Sequence, residues 1–133
     1  MAKELQYPSV EHLIECNLLA LNLFKVKRAD KPVVLSQAKI AELLEECRAL
    51  DGDAYDKAIC LLKGIIQKHP FASGNRRTAL LAAKEFILDN GKRFEINDDP
   101  EHARVLQGIR ENHYADAEIR EWVQHGKIRP FKR

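Results

Sequence analysis

The sequence predicts an all-α protein with about six helices. Apolar residues recur at spacings of three and four through most of the 133 residues, which is the period of an amphipathic helix. The one candidate extended stretch, RFEI at 93–96, is too short to build a sheet. No repeat, low-complexity tract or long linker divides the chain. We therefore expect a single domain over 1–133, with a core of about 7–126 and a basic tail at 127–133.

Two helices are predicted before residue 50. The first follows Pro8, with Ser9 as its N-cap, and covers 10–24. Its wide apolar face consists of Leu13, Ile14, Leu18, Leu21 and Leu23. After a charged interruption, Ser36 can cap the second helix. The apolar face of that helix consists of Ile40, Leu43, Leu44 and Cys47.

The third helix is the most apolar and should be deeply buried. Asp53 is its predicted N-cap, and Asp56 places a negative charge in its first turn. Its apolar residues are Ala54, Ala58, Leu61, Leu62, Ile65 and Ile66. Pro70 disfavours helical geometry at His69, so the helix is predicted to end there.

The fourth and fifth helices follow a short loop. The fourth begins near Asn75, and Gly91 supplies the left-handed residue that commonly follows a helix end. Asp98 or Asp99 caps the fifth, with Pro100 as its first residue. The core residues predicted for the fifth helix are Val105, Leu106 and Ile109.

A sixth helix precedes the tail. Asp116 is its predicted N-cap and Gly126 its end, and its apolar residues are Ile119, Trp122 and Val123. The tail KIRPFKR combines four basic residues with an aromatic one. Such a tail can bind nucleic acid, but we expect a solvated terminus.

Charge and composition narrow the classes of function. The 22 basic and 20 acidic side chains give a net charge of +2, too balanced to indicate a nucleic-acid or membrane-surface protein. No apolar run approaches the roughly 20 residues that cross a bilayer. Cys16, Cys47 and Cys60 are odd in number and lack CxxC spacing, so they are interpreted as buried thiols in a reducing compartment. A cytoplasmic protein without a membrane partner is predicted.

The stretch HPFASGNRR at 69–77 is the candidate site. A helix N-terminus is a natural anion site, and Gly74 lets the backbone approach an anion closely. Asn75, Arg76 and Arg77 add donors of the geometry that phosphate prefers. His69 at the other end of the loop can take a proton from a hydroxyl group. Each residue alone has an ordinary structural explanation, but their joint spacing favours group transfer from a phosphate ester.

These nine residues resemble the signature of the Fic/Doc (Fido) family, which lies in a loop between two helices of an all-α domain. The flanking stretches at 55–68 and 78–91, and the ending REWVQHG, resemble its death-on-curing (Doc) branch. The resemblance extends from about residue 7 to residue 126. Leu80 stands where adenylylating Fic enzymes have a second arginine, and Arg76 stands where Doc proteins have a lysine.

The resemblance implies a role for each residue of the loop. His69 would be the general base for a protein hydroxyl group. Gly74 and Asn75 would shape the anion pocket, Arg77 would bind phosphate, and Arg76 would take the place of the Doc lysine.

Three features depart from the family pattern. Ser73 occupies the position of the acid that holds magnesium, and a hydroxyl group is a poor magnesium ligand beside a carboxylate. This substitution argues against magnesium binding. The resemblance also implies that Phe71 anchors the loop in the core. The flap that aligns the target chain is expected between the second and third helices, and it is short or missing there. No self-inhibition motif surrounds Ser9 or Ser36, so any inhibitor would act in trans.

The function implied is that of a Doc-like toxin of a toxin–antitoxin pair. It would transfer phosphate from ATP to a hydroxyl group of a protein such as elongation factor Tu, and a small antitoxin would inhibit it. Two alternatives stay open. One is protein adenylylation by a Fic-like enzyme, and the other is a catalytically impaired nucleotide-binding domain that has lost its metal through Ser73.

Other candidate ligands are weaker. His102, His113 and His125 lack the spacing of three or four that a zinc site on one helix needs, so surface histidines are expected. Asp98 or Asp99 could replace the missing acid if that segment folded over the loop. Helix capping already explains both aspartates.

Overall fold

The computed structural model describes residues 5–23, 33–97 and 99–131. These residues form six α-helices: α1 (Val10–Leu23), α2 (Gln37–Ala49), α3 (Ala54–Lys68), α4 (Asn75–Asp89), α5 (His102–Arg110) and α6 (Asp116–His125). The described ranges contain no β-strand. Val34 and Phe71 form an isolated antiparallel β-bridge. The predicted all-α class is confirmed.

Helix α3 lies at the centre and packs against α2, α4, α5 and α6. Its apolar face is almost completely buried, as its strong helical period predicted. The buried apolar residues of this helix are Ala54, Tyr55, Ala58, Ile59, Leu61, Leu62, Ile65 and Ile66. Helix α1 packs against α4 and α2. The loop between α3 and α4 therefore lies between the two helices that pack together most extensively.

The predicted face of α1 is partly wrong. Leu13 and Leu21 are buried, but Leu18 is 45% exposed. Residues 13, 16, 17, 20 and 21 follow one another at helical spacing and form the buried face. Leu18 lies five positions after Leu13, which turns it about 140° away from that face. The side chain of Leu23 and residue 24 lie outside the described residues.

The predicted caps of the first three helices are present. Ser9 Oγ accepts a hydrogen bond from His12 N at 3.0 Å, and Ser36 Oγ accepts one from Lys39 N at 3.2 Å. The start of α3 is a reciprocal capping box. Asp53 Oδ1 accepts from Asp56 N, and Asp56 Oδ2 accepts from Asp53 N, each at 3.0 Å. These contacts satisfy N–H groups that have no partner within a helix.

The predicted start of the fifth helix is early by two residues. Helix α5 begins at His102, because Asp99 and Pro100 belong to a preceding turn in which His102 N donates to Asp99 O at 3.0 Å. Asp99 Oδ1 accepts from Glu101 N at 2.9 Å, so its side chain still caps a backbone donor. Asp98 lies outside the described residues.

The start of the sixth helix is displaced by one residue. Asp116 is the first helical residue, and Ala115 precedes it as the N-cap. The capping side chain is Glu118, whose Oε1 accepts from Ala115 N at 3.1 Å. The helix ends at Gly126 as predicted, and the φ of this residue, 73°, is left-handed.

The tail does not behave as a solvated terminus as far as residue 131. Ile128 and Phe131 are half-buried against the core. Tyr114 donates from its hydroxyl group to Arg129 O at 2.9 Å, and the Arg129 guanidinium pairs with Glu118. Apolar contacts and an ion pair with α6 therefore hold the first part of the tail. The prediction of a solvated terminus is wrong for this part.

All three cysteines are free thiols. Cys16 and Cys47 are buried as predicted, whereas Cys60 is only half-buried. Among the helices in the described part of the chain, none has the length and apolar character that crossing a membrane requires.

Lys57 is a charged residue within the core. Its side chain lies on the buried face of α3, and only 7% of the residue is exposed. The ammonium group donates to the carbonyl groups of Cys47, Arg48 and Leu50 at 3.1, 2.9 and 2.6 Å. These carbonyls end α2, where helical C=O groups lack partners, so Lys57 joins α3 to the C-terminus of α2.

The start of α3 is also held by Arg120 of α6. Arg120 Nη2 lies 2.7 Å from Asp53 Oδ2, and Nη1 lies 3.0 Å from Asp56 Oδ1. The hydrogen bond from Arg120 holds the pKa of Asp53 well below its usual range. A depressed carboxyl pKa adds stability that is present above the unfolded pKa of about 3.9 and is lost as the pH falls.

We expect Asp53→Asn to reduce the acid sensitivity of unfolding. Asparagine is as good an N-cap as aspartate, so the cap remains while the titrating group is removed. Because Asp53 is half-exposed, the difference should be about 1 kcal/mol or less. Urea unfolding at pH 6 and pH 3 measures it. Asp51→Asn, at an exposed position, is the control, and equal acid sensitivity of the two variants would contradict this role of Asp53.

Candidate functional site

The predicted site loop joins the C-terminus of α3 to the N-terminus of α4. His69 caps α3 in a left-handed conformation, with φ 50° and ψ 58°, and its N–H donates to Ile65 O at 3.3 Å. Because Pro70 disfavours a further helical residue before it, the chain turns at His69. The imidazole is half-buried at this turn.

The segment before α2 holds the loop by backbone pairing. Leu35 N donates to Pro70 O at 2.8 Å, and Ala72 N donates to Val33 O at 2.9 Å. These bonds enclose Phe71, which is 1% exposed and anchors the loop in the core as predicted.

The expected absence of a long flap between the second and third helices agrees with the structure. Only residues 50–53 separate α2 from α3. The pairing segment instead lies before α2, at residues 33–35, where no strand signal was identified in the sequence.

Asn75 fixes the conformation of the loop from within. Its Oδ1 accepts from Phe71 N at 3.1 Å, and its Nδ2 donates to Phe71 O at 2.8 Å. With the amide oriented in this way, its remaining N–H group faces Nδ1 of His69 at 3.3 Å. An amide NH₂ can only donate, so Nδ1 of the neutral ring carries the lone pair and Nε2 carries the proton.

A second support comes from α1. Asn17 is 1% exposed, and its Nδ2 donates to Ser73 O at 2.9 Å and to Thr78 Oγ1 at 3.0 Å. Thr78 is completely buried in the first turns of α4. Asn17 therefore connects α1 to both the loop and the helix that follows it.

Gly74 is required by both conformation and space. Its φ of 75° is left-handed, and a Cβ at this position would lie 2.9 Å from Leu21 Cδ2. Because Gly74 turns the chain directly into α4, the first N–H groups of that helix lie at the loop. Such groups have no helical partner and carry partial positive charge.

Basic side chains from three helices surround His69. Burial, followed by the charges of Arg110, Arg76 and Lys39, lowers the pKa of His69 below its ordinary value. Arg76 is held towards α5, since its Nη1 donates to Gln107 Oε1 at 2.5 Å. His69 is therefore neutral near pH 7, in a positively charged environment, and can accept a proton there.

Comparison with known protein families finds a match that includes the loop. Residues 26–87 match the model of the Fic/DOC family. The match includes α2, α3, the loop and most of α4, but not α1 and α5, which contribute Asn17 and Arg110 to the site. The match supports the resemblance of the loop to this family. It does not distinguish Fic proteins from Doc proteins, because the family includes both. None of the curated proteins compared with the chain matches it.

The magnesium ion that the Fic/Doc resemblance implies does not fit the residues of this loop. Positions 69–77 contain no carboxylate, and the charges that add to burial in lowering the pKa of His69 all belong to cations. Asp99 caps the backbone of Glu101, so its carboxylate is already engaged. A small hard cation prefers charged oxygen ligands, which these positions do not supply.

Sequence reasoning did not identify three residues of the Fic/Doc-like site. Asn17, Lys39 and Arg110 belong to α1, α2 and α5, and their part in the site depends on tertiary packing. Asn17 lies within an apolar run, and a buried asparagine there signals a polar partner. The two basic residues carry no comparable signal, because single basic residues on helices are most often solvated.

Proposed function

We propose that this chain is a Doc-like transferase that moves a phosphate group from ATP to a hydroxyl group of a protein. The observation that carries the proposal is His69 at the end of α3, beside the first turn of α4, where burial and the charges of Arg110, Arg76 and Lys39 lower its pKa and favour the neutral ring. This arrangement combines a proton acceptor with positive charge for phosphate. Phosphoryl transfer needs little more than positioning and charge stabilisation.

The chemistry can be assigned to atoms. The oxygen of the target hydroxyl group attacks the γ-phosphorus of ATP, the bond from that phosphorus to the bridging oxygen breaks, and ADP leaves. The hydroxyl proton passes to His69. The lone pair of the neutral ring is on Nδ1, so this nitrogen takes up the proton. The long hydrogen bond that Asn75 Nδ2 donates to Nδ1, at 3.3 Å, is then lost.

The toxin–antitoxin context rests on the resemblance to Doc proteins. We propose that the chain acts in the cytoplasm, that elongation factor Tu or an equivalent protein is its target, and that a small antitoxin inhibits it in trans. The absence of the family's self-inhibition motif around Ser9 and Ser36 favours an inhibitor on another chain.

Labelled ATP tests the reaction. The purified chain is incubated with a cell extract and with ATP labelled at either the γ- or the α-phosphate. Phosphorylation transfers the γ label to protein, whereas adenylylation transfers the α label. Transfer of the α label alone would replace our proposal with adenylylation. Transfer of neither label would favour a binding function.

A binding function is the second candidate, and the missing carboxylate favours it. If Ser73 has removed a necessary metal ligand, the cationic loop would still bind a nucleotide without transferring phosphate. Calorimetry with ATP, with and without magnesium, gives the supporting result. Binding that is unaffected by magnesium, together with no label transfer, would establish this function.

We expect Ser73→Asp to weaken ATP binding. If cations alone neutralise the phosphates, a new carboxylate would repel ATP and pair with Arg76 or Arg77. Loss of one charge-assisted contact costs about 1.5–3 kcal/mol, so a fall in affinity of about tenfold or more is predicted. Titration of ATP at fixed magnesium measures this. Ser73→Asn, which adds no charge, is the control. Tighter, magnesium-dependent binding by the aspartate variant would show instead a metal site that lacks one ligand.

A further inference from the structure

Three potential metal ligands meet between α1 and α4, outside the loop. His12 and Cys16 are four residues apart on one face of α1, and Glu85 faces them from α4. The ligand atoms of the three side chains all lie within 4.8 Å of one another. His12 Nε2 is 2.6 Å from Glu85 Oε2, and Cys16 Sγ is 3.5 Å from the same oxygen.

The surroundings of this cluster favour a cation. A cavity of about 330 Å³ borders it, and the described residues that line it include His12, Glu85 and Asp89 but neither lysine nor arginine. A further carboxylate, Glu15, lies 3.6 Å from Nδ1 of His12, the ring nitrogen opposite Nε2. Histidine ligands of metals commonly have a carboxylate near their second nitrogen, which orients the ring.

We propose that His12, Cys16 and Glu85 bind a zinc ion that links α1 to α4. Nitrogen, sulfur and carboxylate oxygen are the ligands that zinc takes in proteins, at about 2.0–2.3 Å. Ligand atoms around such an ion are about 3.3–3.8 Å apart. The ligand atoms that lie up to 4.8 Å apart must therefore approach by about 1 Å, while His12 Nε2 and Glu85 Oε2, now 2.6 Å apart, must separate by about the same amount, which requires movement of the Glu85 carboxylate. Its side chain is 35% exposed, which leaves room for that movement. The cavity provides space for a water molecule as the fourth ligand.

The thiol limits which metal can bind. The Cys16 thiol is buried and faces the Glu85 carboxylate, and it must lose its proton to become a metal ligand. The metal must therefore displace the thiol proton and the proton shared by His12 and Glu85, both of which pass to solvent. Zinc forms strong thiolate bonds, whereas magnesium and calcium prefer oxygen alone. In the absence of metal, the same residues form a hydrogen-bonded contact between the helices.

Cobalt(II) as a spectroscopic substitute for zinc tests the site on the full chain. We expect a thiolate-to-cobalt charge-transfer band that zinc abolishes by displacing cobalt. Cys16→Ser should eliminate the band, and Glu85→Gln should weaken cobalt binding at least tenfold. Cys60→Ser, which removes a half-buried thiol outside the cluster, should leave both unchanged.

Three results would overturn the zinc site. They are the absence of the charge-transfer band from the wild-type chain, its persistence in Cys16→Ser, and its loss in Cys60→Ser. Circular dichroism checks that each variant is folded. If Cys16→Ser does not fold, His12→Gln and Glu85→Gln, at partly exposed positions, replace it. Cobalt affinity equal to wild type in both of these variants would equally exclude the site.

Discussion

Replacement of His69 by alanine is expected to reduce label transfer from ATP by about 10²–10⁴-fold, the usual contribution of a general base. The pKa of His69 is lowered by burial and by neighbouring cations, so the native ring is neutral and ready to accept a proton. Alanine removes that acceptor. It leaves the backbone contacts of the loop, which involve Pro70, Phe71 and Ala72, in place.

The fold should survive this change, because His69 caps a helix and is not part of the apolar face of α3. His69→Asn provides a second test, since asparagine tolerates the left-handed conformation that His69 adopts. The control is His125→Ala, an exposed histidine at the end of α6. Label transfer and thermal unfolding are measured for all three variants. Undiminished transfer, or growth arrest by a folded His69→Ala variant in cells, would exclude His69 as the base.

The local part of this site could be predicted from sequence. The end of α3 before Pro70 and the start of α4 after Gly74 depend on backbone preferences of single residues, which the sequence displays directly. The burial of Phe71 followed from the resemblance to the family. The structure adds why Gly74 is needed, since Leu21 of α1 occupies the space that a side chain would take.

The long-range part could not be predicted in the same way. Asn17 reaches the loop from 56 positions earlier in the chain, and Glu85 reaches His12 across 73. Periodicity identifies an apolar face but not which helix covers it. The error at Leu18 has the same origin. Leucine is usually a core residue, but the buried face of α1 contains Cys16 and Ala20 instead of Leu18.

Lys57 shows a further limit of sequence reasoning. Its position on α3 falls on the buried face, but lysine is rarely buried, and residue type alone predicts solvent. The C-terminus of α2 provides the missing partners, because its carbonyl groups converge on the ammonium group. The ring of Tyr7, 5.6 Å from Nζ, adds a cation–π contact. Whether a lysine can be buried thus depends on the end of another helix.

We expect Lys57→Met to lower the free energy of unfolding by about 3 kcal/mol, the scale of a buried charge-assisted hydrogen bond whose acceptors lose their donor. Methionine keeps the length and apolar character of the stem, so the loss reports on the ammonium group. For a domain of this size the corresponding fall in Tm is about 10 °C.

Urea unfolding measures the effect of Lys57→Met, and Lys63→Met is the matched control on the same helix. Lys63 pairs with Asp116 at 2.7 Å near the surface, and exposed ion pairs contribute about 1 kcal/mol or less. Equal losses in the two variants would mean that water or a backbone shift satisfies the carbonyls of Cys47, Arg48 and Leu50. In that case the junction of α2 with α3 would depend on apolar packing alone.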